Sequence, residues 1–351
     1  MEPARPRDAA GSGPPGASDA LAGFRPELLP PPFALHNTGA ICYFNSFLQA
    51  LAACTALSEA ALARPDYMRQ TRTGAALLAF FEACAALGGD PAGAGRLAGA
   101  SADVLRALCA DLAERRPWVR FGVGQESASE ALVHTLDMLE PPPAAGGPAE
   151  ESPLSRLFTH RYRCSTYCGG CRATVSVESD QGVQVNMFFL DSMRDPPATP
   201  AAFAATIRRH FSHTEGYACE RCGAKGAAVR CHQIALVPEV LMCVFNLYRE
   251  RRARYIPASL AFPAVGGGYH AFRLVAQVRH SGDLSGGHYW AYVLRRGGVY
   301  RANDACAPAR VDGFDQSAST YLAFYHYLRH VPAEAQAPAA TGEKGWAAEE
   351  A

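Results

Sequence analysis

Neither sign of charge predominates in this sequence: 33 Lys and Arg face 33 Asp and Glu. That balance excludes a generally basic binder of nucleic acid or membrane surface and leaves room only for local patches. No apolar run reaches the roughly 18 residues that a membrane helix requires. The most apolar stretch, residues 234–248, contains Pro238 and Glu239 and reads as buried strand. Residues 1–20 are Pro, Ala, Gly and charge, without the apolar core of a secretion signal. No internal repeat is found beyond two Cys-x-x-Cys pairs. These absences point to a soluble monomer inside the cell, in cytoplasm or nucleus, with no nucleic-acid or membrane partner.

What the chain does have is apolar mass. Its 351 residues are 49% hydrophobic and 10% aromatic, enough for one large domain or two ordinary ones. Residues 1–32 read as a mobile Pro/Ala/Gly-rich leader and 331–351 as a flexible tail, with structure expected from Phe33. Residues 141–152 (PPPAAGGPAEES) form the one obvious internal linker. Before it, apolar residues recur at helical spacing over 45–63, 73–86, 102–114 and 125–140. After it, β-branched and aromatic residues predict strands over 182–189, 234–248, 271–280, 288–294 and 319–327. Helices first and strands second argue for an α+β fold.

Twelve cysteines in a chain without a secretion signal are thiols, metal ligands or a nucleophile before they are disulfides. Cys168 and Cys171 form one Cys-x-x-Cys pair, Cys219 and Cys222 another. Four such sulfurs suit tetrahedral zinc, each pair at the tip of its own hairpin; unliganded thiols are the alternative. Cys54, Cys84, Cys109, Cys164, Cys231, Cys243 and Cys306 read as small core residues.

Cys42 differs in context. It lies in NTGAICYFNS (37–46), where a Gly-containing loop gives way to an apolar helical pattern. A helix N-terminus lowers a thiol's pKa, and its backbone N–H groups can hold an oxyanion; a buried cap cysteine is the plainer reading. His288 follows two glycines in SGDLSGGHYWAY (281–292) and opens a strand, as a rigid but reachable general base would, or as an ordinary strand histidine would. Asn303 and Asp304, in YRAND (300–304), fall across a short turn from it. Either could fix the imidazole tautomer, although Asn-Asp is also a common turn. Cys, His and Asn, each at an element end, make a thiol-nucleophile constellation.

These segments resemble the ubiquitin-specific proteases. FALHNTGAICYFNSFLQ (33–49) is similar to their cysteine box, 281–292 with 300–304 to their histidine box, GQESASE (124–130) to their glutamine-containing box, and STYLAFY (319–325) to their closing strand. The resemblance spans about residues 33–329. It implies a papain-like α+β hand over 33–330: a helical thumb (33–140), then a β-rich palm and fingers (153–330) with one structural zinc on Cys168, Cys171, Cys219 and Cys222. It also implies Cys42 as nucleophile, His288 as base, Asn303 as orienting residue and Asn37 as oxyanion assistant. Gln125, Glu126, Gly286 and Gly287 would meet the substrate. The activity implied is thiol hydrolysis of the bond after the C-terminal glycine of ubiquitin, with ubiquitin and ubiquitinated proteins as partners and no catalytic cofactor. Ala40 and Ile41 stand where the family usually has Asn and Thr, and Ser127 where it usually has an Asp gripping the substrate's basic tail. Two further readings are a ubiquitin-binding module with little turnover and a protease for another ubiquitin-like modifier.

Overall fold

The computed structural model describes residues 24–87, 91–122, 124, 126–141, 152–187, 190, 197–210, 212–215, 218–226, 228–245, 255–283, 286–316 and 319–332. Residues 1–23 of the leader, 142–151 of the linker and 333–351 of the tail lie outside them. Within them, ordered contacts begin ahead of Phe33: a 3-10 turn at Pro26–Leu28 delivers Leu29 into the interior. Among the described residues no helix is long and apolar enough to cross a membrane.

Helices fill the first half. The apolar pattern over 45–63 gives two helices, α1 (Cys42–Leu51) and α2 (Thr55–Leu62). Between them the N–H groups of Ala53 and Cys54 bond three residues back, to Ala50 and Leu51, which tightens and ends the first helix. All ten residues of α1 are buried, its polar Asn45, Ser46 and Gln49 each with a hydrogen bond. After the short α3 (Pro65–Met68), α4 (Arg72–Ala86) starts at Thr71, whose hydroxyl accepts the Gly74 N–H. Then come α5 (Pro91–Ala98), α6 (Ala100–Arg115) and α7 (Ala128–Leu139).

Among the described residues the second half holds two sheets, one α-helix and a 3-10 turn at Ser155–Leu157. Strands β1 (His160–Cys168), β2 (Ala173–Gly182), β4 (Ser212–Glu215) and β5 (Ala228–Leu236) form an antiparallel sheet in the order β2-β1-β5-β4. Helix α8 (Pro200–His210) precedes β4. The larger sheet takes β3 (Val185–Asn186), β6 (Val240–Val244), β7 (Ser259–Pro263), β8 (Tyr269–Asp283), β9 (Gly286–Arg295), β10 (Gly298–Asn303), β11 (Cys306–Val311) and β12 (Thr320–Val331). Its order is β11-β10-β9-β8-β12-β6-β3, with β7 also on β8. The run over 234–248 divides because Pro238 has no N–H to give a ladder: β5 stops at Leu236 and β6 starts at Val240. Over 182–189 only β3 is a strand of its own, and residues 188 and 189 lie outside the described set.

Alternation along β6 and β12 divides the core. Val240, Met242, Val244, Leu322 and Phe324 face the helices, where Phe44, Phe47 and Leu48 of α1 meet Val275, Ala291 and Val293. Leu241, Cys243, Ala323 and Tyr325 face the other side, packed with Phe203 and Ile207 of α8. Of the cysteines read as core, Cys54, Cys84, Cys164 and Cys243 are buried, and Cys109 and Cys231 are half-buried. Cys306 departs from that reading: it is exposed, because β11 is the outer strand of the large sheet.

Candidate active site

Helix α1 lies directly on β9 and β10, with Cys42 as its first residue, almost fully buried. Across the turn at Gly297 and Gly298, β9 and β10 run antiparallel, so the start of one adjoins the end of the other. There Asn303 Oδ1 stands 2.7 Å from His288 Nε2. With the ring nitrogen protonated, this bond fixes the tautomer and leaves Nδ1 for the substrate side. The His288 ring stacks on Trp290 at 6.1 Å with an interplanar angle of 21°.

Asp304 carries the next link, which sequence reasoning treated only as an alternative to Asn303. It has a left-handed φ of 45°, tolerable for an aspartate in a turn. Its carboxylate accepts from Asn37 Nδ2 at 3.0 Å and from Asn45 Nδ2 at 2.6 Å, residues that precede and follow Cys42 in the chain. Its main-chain oxygen accepts the Leu35 N–H. Asn37 Oδ1 in turn accepts the N–H groups of Gly39 and Ile41. The loop before the cysteine is therefore held by side chains although Ala40 and Ile41 supply none. Asn45 was not among the expected site residues; its signal was a polar residue inside an otherwise apolar helix.

The glutamine-containing box ends at α7, which packs on α1. Gln125 lies outside the described residues. Ser127 is the N-cap of α7: its Oγ accepts from Ser129 and Glu130 N–H and lies 2.7 Å from the Tyr321 hydroxyl. Burial, and after it the Glu126 carboxylate, push the Tyr43 phenol well above its ordinary value, so Glu126 acts on the residue beside Cys42. Gly287 is needed by the chain's own backbone. A Cβ there would come within 2.3 Å of the Ser281 oxygen and 2.4 Å of the His280 ring. Gly286 sits opposite Asp283 in the same tight pairing.

At one end of the smaller sheet, Cys168 and Cys171 occupy the β1–β2 turn, and Cys219 and Cys222 the β4–β5 connection. Their ligand atoms all lie within 4.8 Å of one another, with Cys168 and Cys222 sulfurs 3.7 Å apart and Cys171 and Cys219 sulfurs 3.9 Å apart. Left-handed backbone at Arg172 (φ 53°) and Gly223 (φ 69°) turns each knuckle. The Cys171 backbone N–H is the largest influence bringing the Cys168 thiol down to about 7, toward the thiolate that a metal binds. The cluster could hold one metal ion.

A thiol at a helix N-terminus, a strand-borne imidazole braced by an amide, and an α+β hand suit a thiol hydrolase. The family model of ubiquitin carboxyl-terminal hydrolase matches residues 33–325. The chain belongs to that family and, with it, to the cysteine-type deubiquitinases. Solved structures agree on the fold. A SAGA Ubp8/Sgf11/Sus1/Sgf73 DUB module bound to ubiquitin aldehyde matches with a TM-score of 0.64 at 16% identity, over 85% of this chain and 70% of that one. The same module bound to monoubiquitin gives 0.63 at 16% identity and the same coverage. A yeast SAGA DUB module with an Sgf73 mutant gives 0.58 at 17%, over 85% and 69%. No curated protein sequence matches.

Proposed function

We propose that the protein hydrolyses the bond after the C-terminal glycine of ubiquitin in conjugates, with Cys42 as nucleophile. The single observation that carries this is the 2.7 Å contact of His288 Nε2 with Asn303 Oδ1, at the strand ends against which α1 begins with Cys42. The Cys42 thiolate attacks the glycine carbonyl, and the N-terminal N–H groups of α1 hold the oxyanion. The Asn37 amide has two N–H donors; one is bonded to Asp304, and the other serves the oxyanion. His288 then protonates the leaving amine, and the same imidazole activates the water that cleaves the thioester.

Zinc is the metal that the four thiols fit best. Tetrahedral Zn–S bonds of about 2.3 Å place sulfurs about 3.8 Å apart, close to the 3.7 and 3.9 Å separations in the cluster. Cys168, Cys171, Cys219 and Cys222 would fill its coordination, so the ion would brace the hairpins and take no part in the chemistry. The protein's place is inside the cell, as a monomer.

A ubiquitin-tail probe with a thiol-reactive warhead tests the proposal. Covalent capture that disappears in Cys42→Ala supports it. Reversible binding without capture would make the protein a ubiquitin-binding module. Cleavage of the same fluorogenic leaving group from ubiquitin and from other ubiquitin-like modifiers decides the substrate.

A further inference from the structure

Arg295, the last residue of β9, is 2% exposed, and its guanidinium lies in the apolar core. It stacks over the Phe33 ring at 5.0 Å, and the titratable groups acting on it are the thiols of Cys84 and Cys54. Among the described residues no carboxylate pairs with it. Burying a guanidinium without a counter-charge is costly, so its contacts must hold it there.

Those contacts run to one residue of α1. Arg295 Nη2 donates to the Gln49 main-chain oxygen at 2.8 Å and to Gln49 Oε1 at 2.5 Å, while Nη1 donates to the Leu294 oxygen at 3.1 Å. Gln49 lies in the last turn of α1. In a continuing helix the Ala53 N–H would bond its carbonyl, but that N–H goes to Ala50 instead. Arg295 supplies the missing donor and places a cation at the negative end of the helix. Gln49 Nε2 also donates to the Phe33 oxygen, tying in the segment that leads to the nucleophile.

We propose that Arg295 is a positioning residue that fixes the helix carrying Cys42 against the strand carrying His288. This rests on the catalytic roles proposed above. Much of the remaining packing between α1 and β9 is apolar, with Phe47 and Leu48 in one cluster with Ala291 and Val293. Apolar contact is non-directional and permits sliding. The paired donation to Gln49 is directional, and it links the far end of the nucleophile's helix to the far end of the base's strand.

The test uses the full chain with a fluorogenic ubiquitin substrate, and ubiquitin affinity measured in the Cys42→Ala background. Arg295→Met keeps the stem and removes the fork; kcat should fall by roughly 10-fold to 100-fold, with KM and ubiquitin Kd held within about twofold. Arg295→Lys keeps the charge and should recover part of the loss. Gln49→Met removes the Oε1 acceptor together with the Nε2 bond to Phe33 and leaves the main-chain acceptor, whereas Gln49→Glu keeps the acceptor and loses only the Phe33 bond. The Met variant should lower kcat by a smaller factor than Arg295→Met and by more than the Glu variant; this pair and the Lys variant decide the matter if Arg295→Met does not fold. An unchanged kcat in folded variants would overturn the proposal. So would kcat, KM and Kd worsening together with Tm, which would make Arg295 merely structural. Failure of the functional reading looks different: the native chain itself would not be captured by the ubiquitin probe.

Discussion

Asn303 and Asp304 are adjacent in sequence and serve opposite sides of the site. Asn303 Oδ1 braces the His288 ring, whereas the Asp304 carboxylate holds Asn37 and Asn45 around Cys42. Strand β10 ends at Asn303 and the left-handed turn at Asp304 sends the two side chains to different partners, so one residue cannot do both. Asn303→Ala should lower kcat by roughly 100-fold through loss of the oriented imidazole, and Asp304→Ala by less. Steady-state kinetics on both variants checks the ranking; the reverse order would assign the larger role to the carboxylate.

Metal content should follow the cysteine cluster alone. Inductively coupled plasma analysis should find about one zinc per chain, dropping in Cys168→Ser and Cys222→Ser and unchanged in Cys42→Ser. Because the cluster is at the tip of the β2-β1-β5-β4 sheet, its loss should weaken capture of folded ubiquitin. A probe made only of the tail should be affected much less. Full zinc in Cys222→Ser would remove that cysteine from the ligand set.

Ser127 replaces an expected aspartate and still caps α7. Ser127→Ala should cost about 1 kcal/mol in urea unfolding, with some further loss because the Tyr321 hydroxyl contact goes with it. Ser127→Asp should keep the cap. A Ser127→Ala variant as stable as the native chain would show that the cap contributes nothing.

Much of this was legible in the sequence, and the remainder was hidden for identifiable reasons. Helices α4, α6 and α7 and strands β8 and β9 lie close to their predicted spans, because apolar residues recur along them at a clean period, whereas α5 and α8 were not expected. Strands β1 and β2 were missed: their sheet is covered only in part, and β2 has no buried residue to mark its period. Cys42, His288 and Asn303 stood out because each sits beside a glycine or turn signal. Arg295 and Asn45 did not, since their roles depend on partners far away in the chain. The resemblance implies that Gly286 and Gly287 meet the substrate. Coordinates add the close approach of Ser281 and His280, which no local pattern encodes.

Acid should destabilise the fold through one buried and one half-buried histidine. Burial brings His160, at the start of β1, down to about 4, and burial together with the neighbouring His330 brings His270 down to about 4. Both folded values lie below the unfolded value of about 6.5. Their contribution is therefore complete above that pH and is lost as pH falls toward about 4, where the rings must charge. Tm measured across this window should decline, with a shallower slope in His160→Gln. An identical slope would show that His160 is not among the groups responsible.

Strand β12 enters the large sheet between β8 and β6, so Leu322 lies opposite Val278 on one side and Val244 on the other. Both neighbours are made much earlier during synthesis. Until residues 320–331 have left the ribosome, β8 and β6 each present an unpaired edge, and the sheet beneath Cys42 is incomplete. A nascent chain would thus carry its nucleophile for some time without a working site, and its open edges would be the natural target of a chaperone. Among the described strands β12 is the last made, and its arrival would complete the sheet beneath Cys42.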